Sequence, residues 1–128
     1  MERYEALHAK YLNDGEGLLG EGDLPQASEK IWGAVAQMVK VVATTRGLKH
    51  SNHGALHEVV RALYVETEDE DFISLMRSAN RLHVNFYEND LDVDGVSALV
   101  DDAKALVHKL RVSLGAVQEQ QDENDNQR

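Results

Sequence analysis

The stretch from Asp23 to Arg46 constrains the fold more than any other part of the chain. Asp23 stands where a helix N-cap accepts a backbone N–H. Pro25 follows inside the first turn, where its missing donor costs nothing, and Gln26 completes the spacing of a capping box. Behind them Ile31, Trp32, Val35, Met38, Val39 and Val42 recur at intervals of three and four, while Ala27, Ala34, Ala36 and Ala43 fill most of the remaining surface. That apolar arc is wider than a surface helix needs. The spacing therefore predicts a central rod covered by other helices, with Trp32 as a core residue.

The flanking stripes supply those other helices. Tyr4, Leu7, Tyr11, Leu12, Leu18 and Leu19 predict a first helix, and Gly20, Glu21, Gly22 and Asp23 predict a tight turn that folds it back on the rod as an antiparallel hairpin. Gly47 fits a left-handed C-cap. A third helix is expected to start near Asn52, with Leu56, Val59, Val60 and Leu63 inward. Thr67 and Glu70 have the spacing of a second capping box, opening a fourth helix with Phe72, Ile73, Leu75, Met76, Ala79, Leu82 and Phe86 on its inner face. Asp92 is the expected cap of a fifth, whose stripe runs from Val96 to Leu114. The fold class expected is all-α, an up-and-down bundle of four to five helices in one domain over residues 1–115. The acidic stretch 116–128 has nothing apolar after Val117 and is expected to be disordered.

Composition narrows the function classes. The chain has 128 residues, too few for two ordinary cores, and no cysteine, which removes disulfides, thiol catalysis and thiolate metal sites. With 13 basic and 23 acidic residues the formal charge is −10, which repels nucleic acid unless the cations gather on one face. The acidic residues are scattered over every segment. That distribution suits a halophilic protein kept hydrated in a salt-rich cytoplasm; a partner-facing acidic surface is the alternative, and melting in dilute and molar salt separates the two. No apolar run approaches the roughly 20 residues that span a bilayer, so no membrane contact is expected. The charged start Met-Glu-Arg-Tyr-Glu lacks a signal-peptide core, and a cytoplasmic location is expected.

Two groups of residues could carry chemistry. His50, His53 and His57 lie close together, the last two one helical turn apart, a spacing at which two imidazoles can share a metal. Glu58, or His83 and Glu88 from another helix, would have to complete such a set. No His-Glu-x-x-His arrangement exists, so no metal and no cofactor are expected, and caps and surface positions account for these histidines equally well. The second group runs from Arg77 to Asp90: Arg77, Asn80, Arg81, His83, Asn85, Tyr87 and Glu88 crowd hydrogen-bonding groups onto one helix. Arginine suits bidentate contact with phosphate oxygens, asparagine a base edge, and histidine proton transfer near neutrality. The competing account is that a bundle helix needs ion pairs one turn apart and an amide or two to satisfy loop backbone.

The segments Gly-Asp-Leu-Pro-Gln-Ala-Ser-Glu-Lys-Ile-Trp-Gly-Ala-Val-Ala (Gly22 to Ala36) and Leu-His-Val-Asn-Phe-Tyr-Glu (Leu82 to Glu88) resemble the archaeal PaREP-type proteins. That family is related to the HEPN (higher eukaryote and prokaryote nucleotide-binding) superfamily, and the likeness spans roughly residues 4–112. The resemblance implies an up-and-down bundle, often a homodimer, in a superfamily of RNases, RNA-binding toxins and partners of nucleotidyltransferases. Its nucleases carry Arg and His separated by four to six residues, which Arg77 and His83 match, although Ser78 replaces the Asn that often follows the Arg. In a metal-independent RNase of that kind, His83 would be the general acid or base and Arg77 the stabiliser of phosphate charge.

The reading these features support is a bundle that binds RNA or a nucleotide, acting alone or with a partner nucleotidyltransferase. Arg77 and His83 are its candidate catalytic residues, and Asn80, Arg81, Asn85, Tyr87, Glu88, His53 and His57 its candidate binding residues. It predicts that Arg77, Arg81, His83, Lys40, Arg46 and Lys49 converge on one positive cleft. The alternative is a non-enzymatic dimerisation or adaptor protein with no small-molecule site, whose mark would be an uncovered apolar strip.

Overall fold

Residues Ala27 to Ala43 are buried on nearly every side of their helix, and the rest of the chain is wrapped around them. The structure, a computed structural model, describes residues 2–126, with side-chain surroundings for residues 2–115. The helices are α1 (Glu2–Glu21), α2 (Leu24–Arg46), α3 (His53–Thr67), α4 (Asp71–Glu88) and α5 (Val93–Asn126). There is no strand among the described residues, so the chain is an all-α bundle. The expected disordered tail, 116–128, lies outside the residues whose side chains are described.

α2 begins as its sequence requires, with the Asp23 carboxylate accepting the Gln26 N–H at 3.3 Å and Pro25 in the first turn. It ends at Gly47, whose φ of 67° closes the helix while Leu48 N–H returns to the Ala43 carbonyl at 2.8 Å. Against it lie Leu56 and Leu63 of α3, Met76 and Leu82 of α4, and Leu106 and Leu110 of α5, all in one continuous core with Met38, Val39 and Val42. Burying each such side chain contributes about 1.5–3 kcal/mol. Trp32 belongs to this core and is 6% exposed.

α1 packs extensively against α2 alone. The helix runs through Gly20 and Glu21, so the hairpin turn is shorter than the glycines suggest and consists of Gly22 and Asp23. The buried His8 donates from Nδ1 to the Ala34 carbonyl at 2.7 Å, and Gly15 lets Ile31 sit where a Cβ would be 2.7 Å from its Cδ1. A cleft of about 210 Å³ separates α1 from α5, floored by Ile31 and Val35 and walled by Leu12 and Val107. It is spanned by two ion pairs, Glu16 with Lys104 and Glu5 with Arg111, the latter at 3.5 Å.

The α3–α4 junction departs from its expected capping box. Thr67 is the last residue of α3 and donates its hydroxyl back to the Leu63 carbonyl at 2.8 Å, while Glu70 makes no side-chain cap. Asp69 takes that role, accepting the Asp71 N–H at 3.0 Å. Lys109 of α5 clamps this corner at 2.6 Å and holds the Asp69 carboxyl below the usual carboxylate range. The other expected caps hold, with Asn52 bonding Ala55 N–H at 2.9 Å and Asp92 bonding Gly95 N–H at 2.8 Å.

Candidate functional site

α3 and α4 pack against each other, and their shared outer flank gathers the polar residues of both. On α3 the core stripe is Leu56, Val59, Val60 and Leu63, which turns His53, His57, Arg61 and Tyr64 to the side facing α4. On α4 the core stripe is Phe72, Met76, Ala79 and Leu82, which turns Ile73, Arg77, Asn80, His83 and Tyr87 towards α3. The seam is thus built from two helical periodicities.

One end is a groove of about 430 Å³ lined by Arg61, Tyr64, Glu70, Ile73, Ser74 and Arg77. Neither arginine has an ion-pair partner among the described residues. In the middle, His53 Nε2 donates to Asn80 Oδ1 at 3.0 Å and lies 3.0 Å from His57 Nε2. Burial pushes the His57 imidazole below its ordinary pKa, and neighbouring His53 pushes it the same way. At the far end His83 donates from Nδ1 to the Glu29 carboxylate of α2 at 3.0 Å, and exposed Tyr87 meets it edge-on, ring centroids 5.5 Å apart. Beneath all three imidazoles lies Trp32, with centroids at 5.0 Å to His53, 6.3 Å to His57 and 5.4 Å to His83.

The structure therefore brings together His53, His57, Asn80, His83 and Tyr87, which sequence alone could not relate across two helices. It does not bring Arg77 to His83. Six positions apart on one helix, they stand about 9 Å apart along the axis and about 120° around it. Arg77 belongs to the groove with Arg61, and His83 to the niche with Glu29. Nor do the remaining cations converge on one cleft. Arg81 is taken by Asp90, at 2.7 and 2.8 Å, Arg46 pairs with Glu66, and Lys40 lies over the Tyr4 ring. These three side chains have each found an acid or a ring, and Lys49 lies beside Leu48 and Ala55 in a different groove. Arg81 in turn holds the Asp90 carboxyl below its usual range.

Two further expectations are corrected. Asn85, expected to read a base edge, is fully buried and spent on structure: its amide donates to Ser28 Oγ at 3.0 Å and its oxygen accepts Asp90 and Leu91 N–H, both at 3.1 Å. His50 stands apart from the other histidines, with Nδ1 donating to the Leu48 carbonyl at 3.0 Å and the Tyr4 hydroxyl 3.3 Å from Nε2. Glu88 is exposed at the end of α4. Ser78, next to Arg77, donates to Asp102 at 2.7 Å and ties α4 to α5. Among the described residues no group of three or more His, Asp or Glu is arranged to hold a metal ion. None of the described helices is long and apolar enough to cross a membrane.

Arg61 is not among the site residues that the sequence suggested. The signal was present, since Arg61 lies one turn beyond His57 on the flank that begins at His53.

A five-helix bundle with a polar seam between its third and fourth helices defines the class. The family profile of the archaeal PaREP1/PaREP8 proteins matches residues 3–107, and the chain belongs to that family. A crystal structure of a Sulfolobus solfataricus protein is similar, with a TM-score of 0.74 and 27% sequence identity over 84% of this chain and 96% of that one. No curated protein matches.

Proposed function

We propose that the α3–α4 seam binds a nucleotide or a short single-stranded stretch of RNA. The observation that carries this reading is the pair Arg61 and Arg77, two guanidinium groups with no ion-pair partner among the described residues, which face one groove that Glu70 also lines. Two such forks suit a phosphate oxygen each. Further along the seam, exposed Tyr87 and the His83 ring offer faces on which a base can stack, and His53, His57 and Asn80 offer donors and acceptors for its edge or for a ribose hydroxyl. In this reading Arg77 positions phosphate and His83 contacts the base, and cleavage by the two acting together is not assigned.

The competing reading is a homodimer or helical adaptor. Its support is the exposure of Val84 and Tyr87, one turn apart on α4, with Val93 just beyond the turn. Fluorescence anisotropy with a labelled oligoribonucleotide, and calorimetry with adenine nucleotides, test the two in low salt. The expected result is saturable binding that Arg61→Ala/Arg77→Ala weakens by about 10-fold or more and that rising salt weakens further. Absence of binding by wild-type protein that light scattering shows to be dimeric would favour the adaptor.

A further inference from the structure

We propose that His53, His57 and Asn80 form a binding site for one divalent late first-row transition ion such as Ni2+, Co2+ or Zn2+. This site does not depend on the nucleotide reading. His53 Nε2 lies 3.0 Å from His57 Nε2 and 3.0 Å from Asn80 Oδ1, so that two lone-pair donors stand beside a third atom that carries the one hydrogen between them. An ion about 2.1 Å from each of two donors at a right angle holds them about 3.0 Å apart, so the spacing found is that of neighbouring corners of an octahedron. Two imidazoles and an amide oxygen select late transition ions over Mg2+.

The two histidines come from one helical turn of α3 and the asparagine from α4, so the site is fixed by the same packing that forms the seam. On binding, His53 shifts its proton from Nε2 to Nδ1 and both Nε2 lone pairs go to the ion. His53 is exposed, while His57 and Asn80 are half-buried, so the outer positions of the ion stay open to water or to a ligand oxygen. His83 stands beside the set, its Nδ1 bonded to Glu29 and its ring 5.3 Å from that of His53, centroid to centroid.

The chain carries one tryptophan, and it lies 5.0 Å from the His53 ring, so Trp32 emission reports on the site. Untagged full-length protein is titrated with NiCl2 and CoCl2, which quench indole emission, with ZnCl2 as competitor and MgCl2 as the ion expected not to bind. The expected result is saturable quenching at one ion per chain, reversed by Zn2+. His53→Ala, His57→Ala or Asn80→Ala weakens it by about 10-fold or more, while Asn80→Asp, which adds a negative donor, tightens it. His50→Ala and Arg61→Ala/Arg77→Ala leave it unchanged, so a failed nucleotide test and a failed metal test are separable. Unsaturable quenching, or quenching that survives in the folded His53→Ala and His57→Ala variants, overturns the proposal.

Discussion

Across the cleft between α1 and α5 the long cations meet partners: Lys104 holds Glu16 and Arg111 holds Glu5. Across the seam between α3 and α4, Arg61 and Arg77 line a groove beside Glu70 without an ion pair among the described residues, and three imidazoles press together over Trp32. Both places are gaps between helices laid on the same rod. In one, charge closes the gap; in the other, it is left available. What sets Arg61 and Arg77 apart is that the two share one groove.

That contrast can be broken at Asn85, an α4 residue whose side chain holds the α4–α5 turn and takes no part in the seam. Asn85→Ala strands Asp90 and Leu91 N–H and Ser28 Oγ, and chemical denaturation should show a loss of about 1–3 kcal/mol with the seam's ligands still bound. Removing both straps by Glu5→Gln and Glu16→Gln is expected to cost about 0.2–1 kcal/mol per pair, shrinking as salt is added, because these pairs are half-exposed and screened. The smallest effect is in acid. Lys109 and Arg81 lower the folded-state pKa of Asp69 and Asp90, so their contribution is present above the ordinary carboxylate value of 3.8 and fades as pH falls through the lowered ones. NMR titration should place both midpoints below 3.8, and Lys109→Ala should return Asp69 towards it.

Most of the bundle was legible because burial leaves a period in the sequence. α2 declares itself by its wide apolar arc, and Asp23, Asn52 and Asp92 declare the starts of three helices by chemistry that acts within a few residues. The signals failed where the same local pattern serves two purposes. Thr67 and Glu70 have the spacing of a cap, yet Thr67 turns its hydroxyl inward along α3, a choice set by where that helix stops. Asn85 is an amide among polar neighbours, and nothing local says that it faces Ser28 across the bundle. Arg77 and His83 matched a spacing counted along the chain, whereas a site is made by angle around a helix and by what the next helix brings. For that reason the partners His53 and His57 of α3 became visible only with α3 beside α4.

The attachment of α1 carries its own consequence. Its only broad contact is with the rod, and its link to α5 runs through two screened ion pairs over an unfilled cleft. A helix so mounted is held by one face alone, and a side chain in place of Gly15 would press on Ile31 at that face.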